Sequence, residues 1–339
     1  MTWKPAVVGL LQRVGWCFAC LLLLSCGGVA AQRPDDESDT HLRRSCIAER
    51  PGAGTDCGTS HRACCEFLPV EGGMFNRLND PAWPATISSF RLDVLEVTVG
   101  RFRAFVDAYP GSKPKTGDGA HKGMPGSGWR SEWDGFLPKT REELSQSLTC
   151  PGKTYPDFDF SKDATWTATP GANEYMPASC MTWYEAFAFC AWDGGRLPTE
   201  AELLYAGVGG AEQRPYPWGS EPPTAERSVI AATGGGPFVA VGSAPLGAGR
   251  WGQLDLGGSR AEFVLDSVAG LSPEELAVLP MPCDNCAELE PAATPGARAT
   301  ADLSYVSSAE QKPFEHRGLP MGAIQRSPAV GVRCARDEE

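Results

Sequence analysis

Several signatures of common functional classes are missing from this 339-residue sequence. It has no basic cluster and a formal net charge of -12, so a nucleic-acid partner is not expected. One apolar run lies near the N-terminus, and no second apolar segment is long enough to cross a membrane. No phosphate-binding loop, G-x-S-x-G motif or zinc-protease motif is present, and no segment is repeated. These absences argue against a P-loop nucleotide enzyme and against a G-x-S-x-G hydrolase.

The N-terminus does contain the pattern of an export signal. Two cations precede an apolar run over residues 14–24, which is too short to span a bilayer comfortably. The run ends in LLSCG, which resembles a lipobox and predicts acylation of Cys26; ordinary cleavage after Ala31 is the alternative. Residues 1–26 are interpreted as a lipoprotein signal peptide and the polar residues 27–45 as a flexible tether. This predicts an exported protein that is lipid-anchored in the bacterial cell envelope, at the outer membrane.

Thirteen cysteines is a high number for this length, and ten of them follow Cys26. An even number in an exported chain favours disulfides over metal thiolates, although spacing alone does not determine their connectivity. Four of the ten lie in residues 46–66, which predicts a small cross-linked collar ahead of a domain over residues 67–336. Cys283 and Cys286 form a C-x-x-C motif without a strong following helix. A structural disulfide is therefore favoured there, and a redox or copper site is the alternative.

The stretch WYEAFAFCAWDGGRLPTEAELLYAG, residues 183–207, predicts two consecutive helices. Each follows a capping box, formed by Thr182 with Glu185 and by Thr199 with Glu202. The first helix is apolar on several sides, which is typical of a buried helix, and two glycines end it.

The remaining sequence predicts little regular structure. Thr98 predicts the cap of an earlier helix that ends at Pro110, and residues 111–180 are predicted to be a long irregular insertion with three tryptophans. Short strands, few helices and long irregular connections predict the α+β class.

Six motifs follow one another along the chain: PVEGGMF, LEVTVGRFRAFVDA, TWYEAFAFCAWDGGRLPTEAELLYAG, YPWGS, RWGQLDLGGSRAEFVLD and GVRCAR. Together they resemble the formylglycine-generating enzyme family, also called sulfatase-modifying factors, over residues 68–336, and the GGRLPTEAE run is highly specific to it. The resemblance implies a variant of the C-type lectin fold that is low in regular secondary structure and disulfide-linked. It also implies a disulfide between Cys190 in the first helix and Cys334 of the terminal GVRC. The N-terminal cysteine cluster and the PCDNCA segment are similar to those of exported myxobacterial lipoprotein members of the family.

Active members of this family oxidise a cysteine of a sulfatase to formylglycine, with oxygen and with Cu(I) held between two cysteine thiolates, which suit this soft ion. When the chain is aligned on Ser304 and Tyr305, the two cysteine positions hold Ser307 and Lys312. No catalytic residue is therefore assigned, and copper is not expected. The resemblance predicts a non-catalytic binding or scaffold lipoprotein with an unknown protein or peptide partner.

The alternative is an active oxidoreductase of the family with an altered metal site, which Cys283 and Cys286 would supply. Another branch of the family binds iron through clustered histidines. The histidines of this chain are scattered in sequence, at His41, His61, His121 and His316. An iron site of that kind is therefore a weak alternative.

The segment DLGGSRAE is similar to the calcium-binding loop of the family. The resemblance places the ligands on Asp255, Gly258, Arg260 (through its carbonyl) and Glu262. Carboxylate and carbonyl oxygens are the ligands that Ca²⁺ prefers. The alternative is that both acids are solvated or are paired with Arg250 and Arg260.

Overall fold

The computed structural model describes residues 43–151, 161–268, 279–289, 296–301, 303–315, 317–318 and 320–338. The predicted signal peptide with Cys26, and residues 27–42 of the predicted tether, lie outside these described residues. Within the described ranges, no helix combines the length and the apolar character needed to cross a membrane.

Four α-helices and ten short β-strands make up the main regular structure of the described residues. The helices are α1 (Val99–Asp107), α2 (Arg141–Ser147), α3 (Trp183–Trp192) and α4 (Glu200–Gly207). The strands are β1 (Phe67–Val70), β2 (Gly73–Asn76), β3 (Pro84–Ile87), β4 (Phe90–Asp93), β5 (Ala261–Val268), β6 (Cys283–Asp284), β7 (Ala297–Ala301), β8 (Met321–Gly322), β9 (Val330–Gly331) and β10 (Ala335–Asp337). Irregular connections and short 3₁₀ helices link them, so the predicted α+β class with little regular structure is confirmed.

The strands form three small sheets. The first has the order β1–β4–β10 and is antiparallel throughout. The second has the order β2–β3–β6, with β6 parallel to β3. The third has the order β8–β7–β5–β9, in which β5 is antiparallel to β7 and parallel to β9. Residues 332–334 connect β9 to β10, so the end of the chain links the third sheet to the first.

Helices α3 and α4 begin where the capping boxes predict. The Thr182 hydroxyl accepts a hydrogen bond from the Glu185 amide, and the Glu185 carboxylate accepts one from the Thr182 amide. The same exchange joins Thr199 and Glu202 at the start of α4. Gly194, with φ +78°, lies just beyond the end of α3, where a left-handed residue is favoured. Both predicted helix starts are therefore confirmed.

The largest core cluster surrounds α3, whose residues are almost all buried. Two tryptophans from the predicted insertion, residues 111–180, pack on this helix. The Trp133 ring centroid lies 5.2 Å from that of Trp183, and the Trp129 ring centroid lies 5.7 Å from that of Phe187. Such aromatic pairs stabilise beyond the area they bury. The insertion is therefore part of the core and not only a surface loop.

All ten cysteines of the described residues are disulfide-bonded. The pairs are Cys46–Cys65, Cys57–Cys64, Cys150–Cys180, Cys190–Cys334 and Cys283–Cys286. Cys190–Cys334 is the pair that the resemblance implies, and it ties α3 to the residue before β10.

The cysteine-rich collar packs against the rest of the fold. Cys57 and Cys64 belong to a core cluster that includes Leu95. Ser45, which the sequence places in the tether, is fully buried, and its amide donates to Asp193 at 2.8 Å. Ser45, within the predicted tether, therefore packs against the residues around α3.

Candidate functional site

The turn that leads into β5 and the start of this strand carry the four residues of the predicted calcium loop, and all four are buried. Asp255 and Ser259 have φ values of +62° and +67°, which are uncommon for residues other than glycine. At Gly258, a Cβ atom would lie 2.8 Å from Ser228 Oγ, so only glycine fits without movement. This tight turn places Asp255 and the Glu262 side chain of β5 in the interior.

A third carboxylate, which the sequence interpretation missed, completes this buried group. Glu96 lies in the motif LEVTVGRF, just before the cap of α1, and is fully buried. Its Oε1 accepts a hydrogen bond from the Arg260 amide at 2.8 Å, and its Oε2 accepts one from the Ser259 hydroxyl at 2.7 Å. The local sequence does not predict that this acid is buried. Its position inside a family motif was the one sequence feature that could have identified Glu96 as a candidate site residue.

Glu96, Asp255 and Glu262 form a buried acidic cluster. Burial raises the pKa of all three carboxyl groups, because surroundings of low dielectric constant disfavour the charged form. The negative charges of Asp255 and Glu262 raise the pKa of Glu96 further. Arg333 opposes this effect at Glu262, because its Nε donates to both Glu262 oxygens, at 2.7 and 2.9 Å. The acidic cluster thus has three carboxyl groups, and one of them, Glu262, is bonded to a guanidinium group.

This geometry fits the predicted calcium ligands only in part. Among the described atoms, Asp255 Oδ1 is the one carboxylate oxygen of the acidic cluster without a hydrogen-bond partner. Glu262, the second predicted acid, binds Arg333. The alternative partners, Arg250 and Arg260, donate to backbone carbonyls and bond to neither predicted acid in the described part of the chain. Within the described residues, no three His, Cys, Asp or Glu side chains are arranged to hold a metal ion.

The two positions of the predicted copper pair hold side chains in local contacts. Ser307 is buried in a turn, where its hydroxyl accepts a hydrogen bond from the Ser304 amide at 3.1 Å. Lys312 Nζ lies 2.9 Å from Glu315 Oε1, and this hydrogen bond raises the pKa of the ammonium group. One position therefore carries a neutral hydroxyl and the other a charged ammonium group. Neither provides an anionic donor for a soft cation.

Residues 55–338 match the sequence model of the sulfatase-modifying factor enzyme 1-like domain. The chain belongs to this family. Formylglycine-generating enzyme from Bos taurus is 27% identical over 219 residues, which cover 59% of this chain and 54% of the relative. Inactive C-alpha-formylglycine-generating enzyme 2 from Mus musculus is 29% identical over 64% of this chain and 61% of the relative. Hercynine oxygenase from Mycolicibacterium smegmatis is 30% identical over 54% of this chain and 38% of the relative.

These matches place the domain in a family with both oxidoreductases and inactive members. The chain spans about half of the length of the formylglycine-generating enzyme from Bos taurus. Among solved structures, PvdO from Pseudomonas aeruginosa superposes with a TM-score of 0.53 at 20% identity, covering 81% of this chain and 95% of that chain. This likeness supports the fold alone. The fold is the variant of the C-type lectin fold that is typical of the sulfatase-modifying factor family.

In this sulfatase-modifying factor domain, the described cysteines and histidines, which are the usual nitrogen and sulfur ligands of metals, contact other protein groups. Every described cysteine is in a disulfide. His61 Nδ1 contacts the exposed Asp56, and His121 Nε2 lies 3.5 Å from the buried Glu202. The described histidines thus pair with separate carboxylates. The described residues can therefore form ion pairs and hydrogen bonds, and they include one disulfide of the C-x-x-C type, Cys283–Cys286.

Proposed function

We propose that this sulfatase-modifying factor domain is a non-catalytic protein that acts by binding a protein or peptide partner. The observation that carries the proposal is the presence of Ser307 and Lys312 at the aligned copper positions. A hydroxyl is not an anionic ligand at neutral pH, and a protonated ammonium group has no free electron pair. The cysteines of the described residues provide no thiolate in their place, because all of them are in disulfides.

Two further observations support binding without catalysis. The match to a relative that is named inactive covers 64% of this chain. The net charge of -12 disfavours nucleic acid as a partner and is compatible with a protein or peptide.

The second candidate function is an oxidoreductase with an altered metal site. It is favoured by the matches to formylglycine-generating enzyme and to hercynine oxygenase. In this reading Cys283 and Cys286 supply the thiolates, so their disulfide must first be reduced.

One assay separates the two functions. The mature protein is incubated with copper, reductant, oxygen and a cysteine-containing sulfatase peptide, and the peptide is analysed by mass spectrometry. We expect no aldehyde product above the background of the peptide alone, while an active formylglycine-generating enzyme in parallel converts the peptide. Aldehyde that accumulates over many turnovers, and that disappears in the Cys283→Ser or Cys286→Ser protein, would contradict the proposal and favour the oxidoreductase.

We also propose that an acylated Cys26 anchors the protein in the bacterial cell envelope, which makes the membrane its second partner. The LLSCG motif and the polar segment after it support this. Attachment is stable with two or more acyl chains and marginal with one. The Cys26→Ala protein should leave the membrane fraction and should carry no lipid mass. Complete partitioning of this variant with membranes would overturn the anchor.

A further inference from the structure

An open groove of about 500 Å³ lies beside the Cys283–Cys286 disulfide. Strands β2 and β3 and the start of β6 provide its walls. Its lining includes Met74, Met281 and Cys283. Met74 and Met281 are 73% and 48% exposed, so the groove has an apolar rim that solvent and a partner can reach. Of the two cysteines, Cys283 is among the described lining residues and Cys286 is not.

The sulfur of Cys286 contacts a buried guanidinium group. Arg77 Nη1 donates to Cys286 Sγ at 3.5 Å, and Arg77 Nη2 donates to the Pro280 carbonyl at 2.8 Å. Arg77 is only 2% exposed, and its Nε has no hydrogen-bond partner among the described residues. Water therefore screens this charge little, and a cation beside a sulfur favours the thiolate. The two cysteines of this disulfide thus have different surroundings. Cys283 is 6% exposed and lies in the wall of the groove, whereas Cys286 is partly buried and its sulfur contacts the Arg77 guanidinium group.

From this asymmetry we propose that Cys283–Cys286 is an exchangeable disulfide that reacts with thiols of a protein or peptide bound in the groove. A partner thiolate attacks Cys283 Sγ and forms a new S–S bond. The Cys283–Cys286 bond breaks, and its electron pair stays on Cys286 as a thiolate that Arg77 stabilises. A thiolate with a lowered pKa leaves faster in such exchanges.

A second thiolate of the partner completes the reaction. It attacks the partner sulfur of the mixed disulfide and releases Cys283 as a thiolate. The partner dithiol is oxidised by two electrons to a disulfide, and Cys283–Cys286 is reduced to two thiols. The two protons that leave the partner are available to the two thiolates formed, so atoms and charge balance without a metal or oxygen.

Several charged groups surround Arg77, the cation that contacts Cys286. Behind Arg77 lie Glu200, Asp266 and Arg317, and Arg317 binds Glu200 at 2.7 Å. Burial and the charge of Glu200 raise the pKa of Asp266 to about 7, so this acid is partly protonated at neutral pH. Asp284, inside the C-x-x-C motif, is exposed to water. Glu288 also acts on Arg317, so two guanidinium groups lie among three carboxyl groups, and it is the direct contact of Arg77 with Cys286 Sγ that favours the thiolate.

This activity goes beyond the proposed binding function and rests on it in one respect, since a partner must occupy the groove. The two proposals can fail separately. The copper assay detects an aldehyde, whereas exchange produces a disulfide in the absence of copper.

The first test is a single-turnover reaction of the mature protein with a reduced synthetic peptide that carries two cysteines, in the presence of a metal chelator. Alkylation and peptide mapping then identify the free thiols. We expect about one peptide disulfide per protein, with Cys283 and Cys286 newly alkylated and the other four disulfides intact. Absence of peptide disulfide, or reduction of Cys283–Cys286 only together with Cys150–Cys180, would overturn the proposal.

The second test compares the two sulfurs. After the oxidised peptide is added, the Cys286→Ser protein should form a mixed disulfide at Cys283. The Cys283→Ser protein should form roughly tenfold less at Cys286, because Cys283, and not Cys286, lines the groove in which the peptide binds. Equal yields at the two cysteines would contradict the assigned roles.

The third test measures the contribution of Arg77. In the Cys283→Ser protein, the midpoint of the pH profile for Cys286 alkylation should lie below that of an ordinary thiol. It should rise when Arg77→Gln is added and return with Arg77→Lys, and the exchange rate of Arg77→Gln alone should fall roughly five- to tenfold. A merely structural role of Arg77 would not move the midpoint in this way. If the Arg77 variants fail to fold, an ordinary midpoint for Cys286 in the Cys283→Ser protein still overturns the proposal.

Discussion

At the scale of single residues, the buried carboxyl group of Asp255 has a hydrogen-bond donor at only one of its two oxygens among the described residues. Its Oδ2 accepts a hydrogen bond from the Gly242 amide at 2.6 Å, whereas Oδ1 has no partner among the described residues, although the residue is only 6% exposed. A buried acceptor without a donor costs free energy unless it is protonated, hydrated or bound to a cation. Burial raises the pKa of this carboxyl group and so favours a proton, while a divalent cation would favour the ionised form.

The calcium hypothesis makes a direct prediction at this residue. We predict that calcium raises the melting temperature of the wild-type protein, because a ligand of the folded state stabilises it by mass action, by about 2.7 kcal/mol at a hundredfold excess over Kd. The Asp255→Asn protein should lose this response, and Asp80→Asn, a change at an exposed acid, should keep it. Thermal unfolding in calcium and in chelator provides the measurement.

The variant Glu262→Gln reports whether the Glu262–Arg333 pair opens for the ion. Loss of the calcium response in this variant would mean that Glu262 joins Asp255 as a ligand. Identical melting curves of the wild-type protein in chelator and in excess calcium would remove calcium from the account and leave Asp255 as a buried, protonated acid.

At the scale of elements, a buried acid joins a strand to a helix. Asp266 of β5 accepts a hydrogen bond from the amide of Glu200, the first residue of α4, at 2.7 Å, and a second from the Glu288 amide at 2.9 Å. The first of these bonds satisfies an amide that no turn of the helix can reach. Burial and the neighbouring Glu200 carboxylate nevertheless raise the pKa of Asp266 to about 7. The two hydrogen bonds therefore stabilise the junction, whereas the buried negative charge of ionised Asp266 next to Glu200 destabilises it.

We predict a pH dependence of stability from this junction. An unfolded aspartate has a pKa of about 3.9, so the folded state binds more protons than the unfolded state between pH 4 and pH 7. The stabilising contribution of Asp266 to the free energy of unfolding is therefore present at low pH and is lost as the pH rises through 7. Relative to the Asp266→Asn protein, the wild-type free energy of unfolding should fall by roughly 3 to 4 kcal/mol between pH 4 and pH 8. Urea denaturation at several pH values measures this difference.

The matched control for Asp266 is Glu221→Gln, a change at an exposed acid. Its pH profile should follow that of the wild-type protein. Parallel profiles for the wild-type and Asp266→Asn proteins would show that Asp266 stays ionised in the folded state.

At the scale of the whole molecule, the disulfides differ most in the length of chain they enclose. Cys190–Cys334 spans 144 residues and joins α3 to the end of the chain, whereas Cys57–Cys64 spans 7 residues inside the collar. All four cysteines are at most 1% exposed, so removing either pair costs similar packing. In the chain-entropy model, the longer loop restricts the unfolded chain more and stabilises the fold more.

The two pairs therefore provide a matched comparison. Replacing Cys190 and Cys334 by alanine should lower the free energy of unfolding by about 5 kcal/mol, and replacing Cys57 and Cys64 by about 2 to 3 kcal/mol. Urea denaturation of both double variants measures the difference. Equal losses would assign the stabilisation to packing of the sulfurs and not to loop length.

Local physical chemistry in the sequence by itself determined the helices around the central core. Each capping box is closed by hydrogen bonds between residues three positions apart, so Thr182 with Glu185 and Thr199 with Glu202 could be recognised without any tertiary information. The apolar composition on several sides of α3 likewise predicted its burial. The ordered motifs, and not spacing, supplied the family and the pairing of Cys190 with Cys334.

Only the tertiary structure decided which distant side chains meet. Glu96 bonds to Ser259 across 163 residues, and Arg77 bonds to Cys286 across 209 residues. Arg333, and not the nearby Arg260, binds the Glu262 carboxylate, which is 71 residues away. These contacts depend on where the packed core places each backbone segment and on which guanidinium has room to reach. The spacing of residues in the sequence predicts contacts within a helical turn. It does not predict the distance between two segments that meet only after the chain has folded.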